Sequence, residues 1–352
     1  MREHAPAYLA GAAAATSTVS IAASQIFLGL AIVALLLDRR KLRWPPVTVP
    51  LIGLMVWTLV SLAASPDPRG GLPQIKKFYV YLMMWAVFSG LRTLRDVRTV
   101  AWGWVLGGSL SALWALVQFE RMYTAKPDKF YSGLFYYVYS NDARITGFMG
   151  HWMTFSAITM MALCVAGALL LFAPRSRAKP AIAVGAVVLL VGLIAGWQRS
   201  VWAGAAVGAM WLLWSKRPVL VLLVPVFGAV LLAWNPAHIR DRVMLLVRPQ
   251  PNLLDSSAHR AALRATGWEM IKAHPWVGVG PEQAKVRFYD YAPPAVPHPV
   301  PHEWSTQHLH NLYYHYAAER GLPALAALLW LLGRAFTISS DSVIRWGPAG
   351  GC

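Results

Sequence analysis

The chain has 352 residues, of which 57% are hydrophobic and only 13% are charged, and its mean hydropathy is +0.46. Soluble domains carry about 25% charged residues, so this composition excludes a soluble globular protein and predicts an integral membrane protein. The net charge of +17 includes the basic loops expected on the cytoplasmic side of a membrane. The two cysteines, Cys164 and Cys352, are too few for a disulfide framework or a cysteine zinc site.

Nine apolar stretches follow one another along the chain. They cover residues 8–37, 48–64, 75–91, 99–120, 150–173, 181–197, 199–215, 217–234 and 307–333. Each is expected to be a helix, because lipid offers no partner for open backbone groups. We therefore predict an all-α polytopic membrane protein with about nine to ten transmembrane helices.

The first stretch is too long for a single straight span. As a helix, residues 8–37 would be about 45 Å long at about 1.5 Å per residue, whereas a bilayer core is about 30 Å thick. The middle of the stretch, Thr16 to Ser20, is polar. This pattern predicts either a bent helix or a short re-entrant pair.

Basic residues fix the predicted orientation. The connections 38–46, 91–98, 173–180 and 215–217 are rich in Lys and Arg and alternate with the others along the chain, so they are predicted to be cytoplasmic. The connections 65–74, 121–149, 197–199 and 235–306 then face outward. By this topology the chain divides into a transmembrane bundle (1–234), a large periplasmic loop (235–306) with a helix at Ser257–Lys272, a further transmembrane helix (307–333) and an atypical tail (334–352).

Three arginines in outward positions could bind phosphate. Arg199 lies between two apolar stretches, where it could also be a cation that snorkels to the interface. Arg260 and Arg264 are one helical turn apart, where they could also form a solvated face. Guanidinium groups bind phosphate in a bidentate manner, so arginines converging from separate elements would suit a diphosphate.

The polar run from His308 to Gly321 enters the last apolar stretch. His310 is the candidate general base, since the pKa of imidazole lies near ambient pH. Asn311 could orient a substrate or cap the helix that follows, and Glu319 is expected to be a buried partner of an arginine or a backbone group. Metal binding is disfavoured, because the spacing of the candidate histidines is not that of a metalloprotease helix; they are His298, His302, His308, His310 and His315.

Two further segments carry motif-like residues. The turn His274–Pro281 contains two glycines but lacks the strand and the third glycine of a dinucleotide fingerprint, so it is predicted to be a tight re-entrant turn. Arg144 and His151 lie at the outer start of the apolar stretch 150–173, where they form either an ordinary helix entry or part of the site.

Taken together, these motifs resemble the O-antigen ligase and O-antigen polymerase superfamily of bacterial membrane glycosyltransferases. The resemblance covers about residues 20–333 and rests on four pieces in order. They are Arg144-x-x-Gly-Phe with Gly-His151-x-Met-Thr; Gln-Arg199-Ser-x-Trp; Arg260-x-x-x-Arg264 continuing to His274-Pro-Trp-x-Gly-Val-Gly-Pro; and His308-x-His310-Asn311 with Glu319-x-Gly321.

The resemblance implies a metal-independent enzyme of the inner (cytoplasmic) membrane with a periplasmic active face. Its donor would be a glycan on undecaprenyl diphosphate, and its acceptor a hydroxyl of a glycolipid or glycan. No cofactor and no nucleic acid would be involved. By the same resemblance, His310 would activate the acceptor, with His308 in support, and Arg199 and Arg260 would hold the diphosphate.

Two departures from the family pattern stand near the end of the chain. Pro323 replaces the second glycine that commonly follows Glu-x-Gly, and no strongly apolar stretch follows residue 333. Because family members usually carry further spans there, the tail predicts a truncated or frame-shifted product.

Two other functions remain open at this point. A transporter of the same lipid would also need outward cations, but it would be expected to show paired half-repeats. A membrane hydrolase could use the histidines to bind a metal, and it would be sensitive to chelators. Within the superfamily, ligase and polymerase are alternatives.

Overall fold

In the computed structural model, residues 4–38, 42–124, 144–174, 176–235, 240, 256–296, 300 and 308–346 are described. The described residues form helices joined by turns. In order, they are α1 (Ala5–Thr16), α2 (Ile21–Leu37), α3 (Thr48–Ala63), α4 (Pro68–Lys76), α5 (Tyr79–Gly90), α6 (Leu94–Thr124), α7 (Trp152–Phe172), α8 (Lys179–Ala195), α9 (Arg199–Lys216), a 3₁₀ turn (Pro218–Leu222) with α10 (Leu223–Trp234), α11 (Ser256–Ala273), α12 (Gln283–Val286), α13 (Phe288–Tyr291) and α14 (Leu312–Trp346).

The prediction of an all-α polytopic membrane protein is confirmed. Within the described residues, three helical segments are long and apolar enough to cross a membrane: Leu94–Met122, Trp152–Phe172 and Leu312–Ser340. Four shorter apolar helices match other predicted spans: Ile21–Leu37, Thr48–Ala63, Lys179–Ala195 and Pro218–Trp234. The division at residues 234, 306 and 333 concerns placement in the membrane and remains a prediction.

The overlong first stretch forms two helices instead of one bent helix. Thr16, Ser17 and Thr18 each donate a side-chain hydrogen bond to a carbonyl three or four residues earlier, and α1 ends there. Ser20 caps α2 by accepting from the N–H of Ala23 at 3.3 Å. The Ser24 hydroxyl donates to the carbonyl of Ala13 at 2.7 Å, which ties the two helices together.

The chain separates into two compact units. The first contains α1, α2, most of α5 and α6 to α10. One of its cores is built by α6, α7 and α8 around Ala112, Ala162 and Leu189, which are fully buried. Small residues permit this approach: a Cβ at Gly192 would lie 3.0 Å from the Cβ of Ala112. Close packing through small residues is typical of membrane helices.

The second unit contains α3, α4, the first turn of α5 and α11 to α14. Its core joins α11 to the start of α14 and to the segment between them. Leu263, Met270, Phe288 and Leu309 are at most 1% exposed at its centre. A second cluster, Leu54 with Ala324 and Leu328, packs α3 against α14.

Candidate functional site

The second unit is organised around a break in α14. Gly321 has φ 81° and ψ 172°, which is not a helical conformation. This region of backbone space is essentially restricted to glycine. A Cβ at Gly321 would also overlap the carbonyl oxygen of Trp276, so the turn 274–280 approaches the break too closely for any side chain.

Backbone groups of the turn replace the helical hydrogen bonds lost at the break. Pro323 has no N–H to donate to the carbonyl of Glu319, and that carbonyl accepts from the N–H of Gly280 at 3.0 Å instead. The N–H of Val279 donates to the carbonyl of Ala318 at 2.8 Å, and the N–H of Leu322 donates to the carbonyl of Pro275 at 2.7 Å. The two glycine-containing motifs therefore form one structural element.

Helix α3 closes this element with two side chains. The indole N–H of Trp57 donates to the carbonyls of Trp276 at 3.2 Å and Arg320 at 3.1 Å. The Ser61 hydroxyl lies 2.6 Å from the carbonyl of Val277 and 3.0 Å from that of Glu319. With these bonds, the polar backbone of the break is satisfied inside an apolar helix, as lipid surroundings require.

The start of α14 fixes the backbone on either side of His310. Leu309 is 1% exposed and belongs to the core, where a Cβ at Gly267 of α11 would lie 2.7 Å from its Cδ1 atom. Asn311 accepts from the N–H groups of Tyr313 at 3.0 Å and Tyr314 at 3.2 Å, which caps the helix. Between these anchors, His310 has a left-handed φ of 48° and donates its N–H to the carbonyl of His308 at 2.8 Å.

Two imidazoles surround that of His310. The ring of His308 lies 4.5 Å from it, centroid to centroid, and the ring of His259 on α11 lies 5.5 Å from it, both edge-on. Partial burial, these two histidines and the Arg260 guanidinium together lower the pKa of His310 to about 4. Burial is the largest cause, because it disfavours the charged imidazolium. His310 is therefore neutral at ambient pH.

The arginines on α11 are exposed beside this histidine cluster. Arg260 and Arg264 are both exposed and lie one helical turn apart. Arg260 is close enough to His310 to lower its pKa through charge. The structure thus brings Arg260 to the predicted general base and places Arg264 on the same helix.

Glu319 lies deeper along α14 and is 2% exposed. Its Oε2 atom is 3.5 Å from Nε2 of His315 and 3.8 Å from Nη2 of Arg320. These neighbours and the surrounding backbone bonds assign it to the structural element at the break.

The remaining predicted residues belong to the first unit. Arg199 opens α9 directly after Trp197, which has a left-handed φ of 53°. His151 caps α7 by accepting from the N–H of Met153 at 3.2 Å, and its ring stacks on Trp152 at 5.4 Å. The guanidinium of Arg144 lies 4.1 Å from the centre of the Trp152 ring. The role of Arg199 in diphosphate binding and the supporting roles of Arg144 and His151 remain predictions.

Two residues of the second unit were not foreseen. His259 contacts His310, and its position directly before Arg260 was the available signal. Arg320 is 3% exposed within an apolar helix, and charge at such a position is itself a signal of function. Among the described residues, no group of three or more His, Cys, Asp or Glu could hold a metal ion. His298 and His302 lie outside the described residues.

Comparison with known families identifies the region that carries these motifs. A family model described as O-antigen ligase matches residues 184–329. The match includes Arg199, Arg260, Arg264, His310 and Glu319, whereas Arg144 and His151 precede it. No curated protein matches the chain. The match at residues 184–329 supports the O-antigen ligase and O-antigen polymerase superfamily that the motifs predict.

Proposed function

We propose that this protein transfers a glycan from undecaprenyl diphosphate to an acceptor hydroxyl at the periplasmic face of the bacterial inner membrane. The observation that carries the proposal is the pairing of a neutral His310 with the Arg260 guanidinium inside the family match. A neutral imidazole can accept a proton, and a neighbouring guanidinium can stabilise a phosphate that becomes more negative.

In this reaction His310 takes the proton of the acceptor hydroxyl. The hydroxyl oxygen forms a bond to the anomeric carbon of the donor glycan, and the bond from that carbon to the diphosphate oxygen breaks. The diphosphate leaves on its lipid with the electron pair. Arg260, with Arg199 and Arg264 as further candidates, stabilises the charge that develops on it.

The surroundings of His310 suit this role. Its left-handed backbone is held by the buried Leu309 on one side and by the capped start of α14 on the other. General-base catalysis depends on such positioning, because the base must lie within hydrogen-bond reach of the proton that it removes. The proposal requires no metal, since the charge on the leaving group is met by guanidinium groups.

Replacement of His310 by alanine in the native host tests the proposal. Surface glycans are separated on a gel and compared with those of the wild type and of His4→Ala, a control at an exposed histidine near the N-terminus. We expect His310→Ala to abolish the product at normal membrane levels of the protein. Glycans of normal length and attachment in His310→Ala would refute the role of this residue.

The same gel separates the two activities within the superfamily. Loss of glycan attachment with lipid-linked polymer intact indicates a ligase, which is our proposal. Glycans of a single repeat unit that are still attached indicate a polymerase instead.

A further inference from the structure

The second unit contains a cavity of about 90 Å³ bounded by α3, α4, the start of α5 and α14. Its charged lining residues are Lys77 and Arg320, and its polar neutral ones are Thr58, Gln74, Tyr81 and Tyr316. None of these residues was assigned to glycan transfer above. Both charged groups in the wall are cations, so the cavity favours an anionic ligand.

Arg320 supplies the main reason to expect a ligand. Its side chain is 4% exposed. Nη2 donates to Oε1 of Gln74 at 3.1 Å, and the guanidinium lies 4.3 Å from the centre of the Tyr316 ring. Nε and Nη1 have no hydrogen-bond partner among the residues that the structure describes. Leaving charged N–H groups buried and unpaired is costly, so an acceptor from a ligand would stabilise them.

Lys77 provides a second cation, and its side chain is exposed to solvent. Its side chain is 63% exposed, and its Nζ lies 3.6 Å from Oε1 of Glu282. Glu282 also accepts from Lys285 at 2.8 Å and from the amide of Gln74. Because Glu282 has these other partners, Lys77 can turn towards an anion without leaving the carboxylate unpaired.

The volume of the cavity and the charges in its wall limit the ligands that it can bind. A cavity of about 90 Å³ holds a few water molecules or one small group, and it is smaller than the roughly 300 Å³ at which pockets for larger organic ligands begin. A sugar diphosphate would not fit. Glu319, 3.8 Å from Arg320, and Glu282 partly offset the two cations, which predicts modest affinity.

We propose that this cavity binds a single phosphate group, held by Arg320 and Lys77. The fork of N–H groups on a guanidinium matches two phosphate oxygens, and the lysine ammonium adds a point charge. The phosphate can come from a lipid headgroup or from free phosphate. The proposal does not depend on the transfer reaction.

Thermal unfolding of the purified full-length protein in neutral detergent tests this site. The unfolding midpoint is measured against increasing inorganic phosphate and, separately, short-chain phosphatidic acid, with short-chain diacylglycerol as the uncharged control. We expect phosphate compounds to raise the midpoint of the wild type. Lys77→Gln should weaken binding about tenfold, the loss expected for one charge-assisted hydrogen bond. Arg320→Gln should weaken binding at least as much.

Two matched variants identify the site. Lys285→Gln removes another lysine from Glu282 without touching the cavity, and it should bind like the wild type. Arg260→Gln should also keep the response, because it alters only the arginine proposed for diphosphate. Lys77→Gln carries the test if the buried Arg320 variant fails to fold.

The two ligands distinguish the source of the phosphate. A response to both supports a site that free phosphate can fill, and a response to phosphatidic acid alone supports a lipid headgroup site. No response to either ligand overturns the proposal, as does a response that Lys77→Gln leaves unchanged. A response lost in Arg260→Gln would place the phosphate at the proposed diphosphate site and would also overturn it.

Discussion

His310 combines an exposed position with a strongly lowered pKa. Partial burial, His308, His259 and Arg260 together bring its pKa to about 4. Burial is the largest cause, and Arg260, which would bind a diphosphate, also helps to keep the imidazole unprotonated. A base and an anion site can therefore share one surface.

The lowered pKa predicts a specific pH profile. A group whose pKa is lowered to about 4 stays neutral above that pH, so transfer activity should remain nearly constant from about pH 5.5 to pH 8. An ordinary histidine would lose activity as pH falls through about 6.5. Activity is measured with purified protein across this range. A half-maximal point near pH 6.5 that disappears in His310→Gln would contradict the lowered pKa.

The cap at Asn311 predicts rescue by other capping residues. Asn311→Ala removes the acceptor for Tyr313 and Tyr314 and should cost about 1 kcal/mol of stability, with reduced activity from a displaced His310. Asn311→Asp and Asn311→Ser also cap helices and should restore most of both. Unfolding midpoints and transfer rates are compared for the three variants. If Asp and Ser are as inactive as Ala while the helix stays stable, Asn311 instead contacts substrate.

At the scale of elements, the broken helix α14 and the turn 274–280 behave as one part. Three backbone N–H groups connect the turn with α14, which lies about forty positions away in the chain. Trp57 and Ser61 of α3 each donate to carbonyls of both segments. The break at Gly321 follows the helical segment that begins directly after His310. The turn and the break therefore anchor the helix that presents the proposed base. Substitutions in the turn or at the break should therefore reduce activity by displacing α14.

Glycine substitutions along α14 separate the break from the rest of the helix. Gly321→Ala places a Cβ on the Trp276 carbonyl in a glycine-only conformation, which should cost at least about 1–3 kcal/mol. Gly333→Ala is the matched control, since no atom lies within 4 Å of its added Cβ, and it should be neutral or stabilising by up to about 1 kcal/mol. Equal unfolding midpoints for the two variants would contradict the tight contact at the break.

The helices were predictable because bilayer thickness dictates apolar length. The predicted stretch 48–64 forms the helix Thr48–Ala63, and the predicted stretch 150–173 forms the helix Trp152–Phe172. The bonds between the turn and α14 were not predictable, since backbone pairing between distant segments leaves no periodic signal. Arg260 could be associated with His310 only through the family resemblance. The sequence marks His259 and Arg320 as polar residues beside motif residues, but the contact of His259 with His310 and the burial of Arg320 depend on distant segments and required coordinates.

At the scale of the whole molecule, the proposed reaction requires a definite orientation. The proposed lipid-linked donor would be used at the periplasmic face, so the proposal requires the segment bearing Arg260 and His310 to face outward. The alternation of basic loops supports this placement, with connection 91–98 in the cytoplasm.

Cysteine labelling tests the orientation. In a variant with Cys164 and Cys352 replaced by serine, Lys272→Cys should react with an impermeant maleimide added outside spheroplasts, because its side chain is 52% exposed on the large loop. Arg95→Cys, exposed on the basic side, should react only after the membrane is opened. The reverse pattern would place the proposed site in the cytoplasm.

Reconstituted glycan transfer is the most direct measurement. The purified protein is given undecaprenyl-diphosphate-linked glycan and an acceptor glycolipid in the presence of a chelator, and the transferred glycan is quantified. We expect transfer by the wild type and by His4→Ala, and a loss of at least about 100-fold in His310→Ala, the range for removal of a general base. Wild-type rates from folded His310→Ala protein would contradict the proposed role of His310.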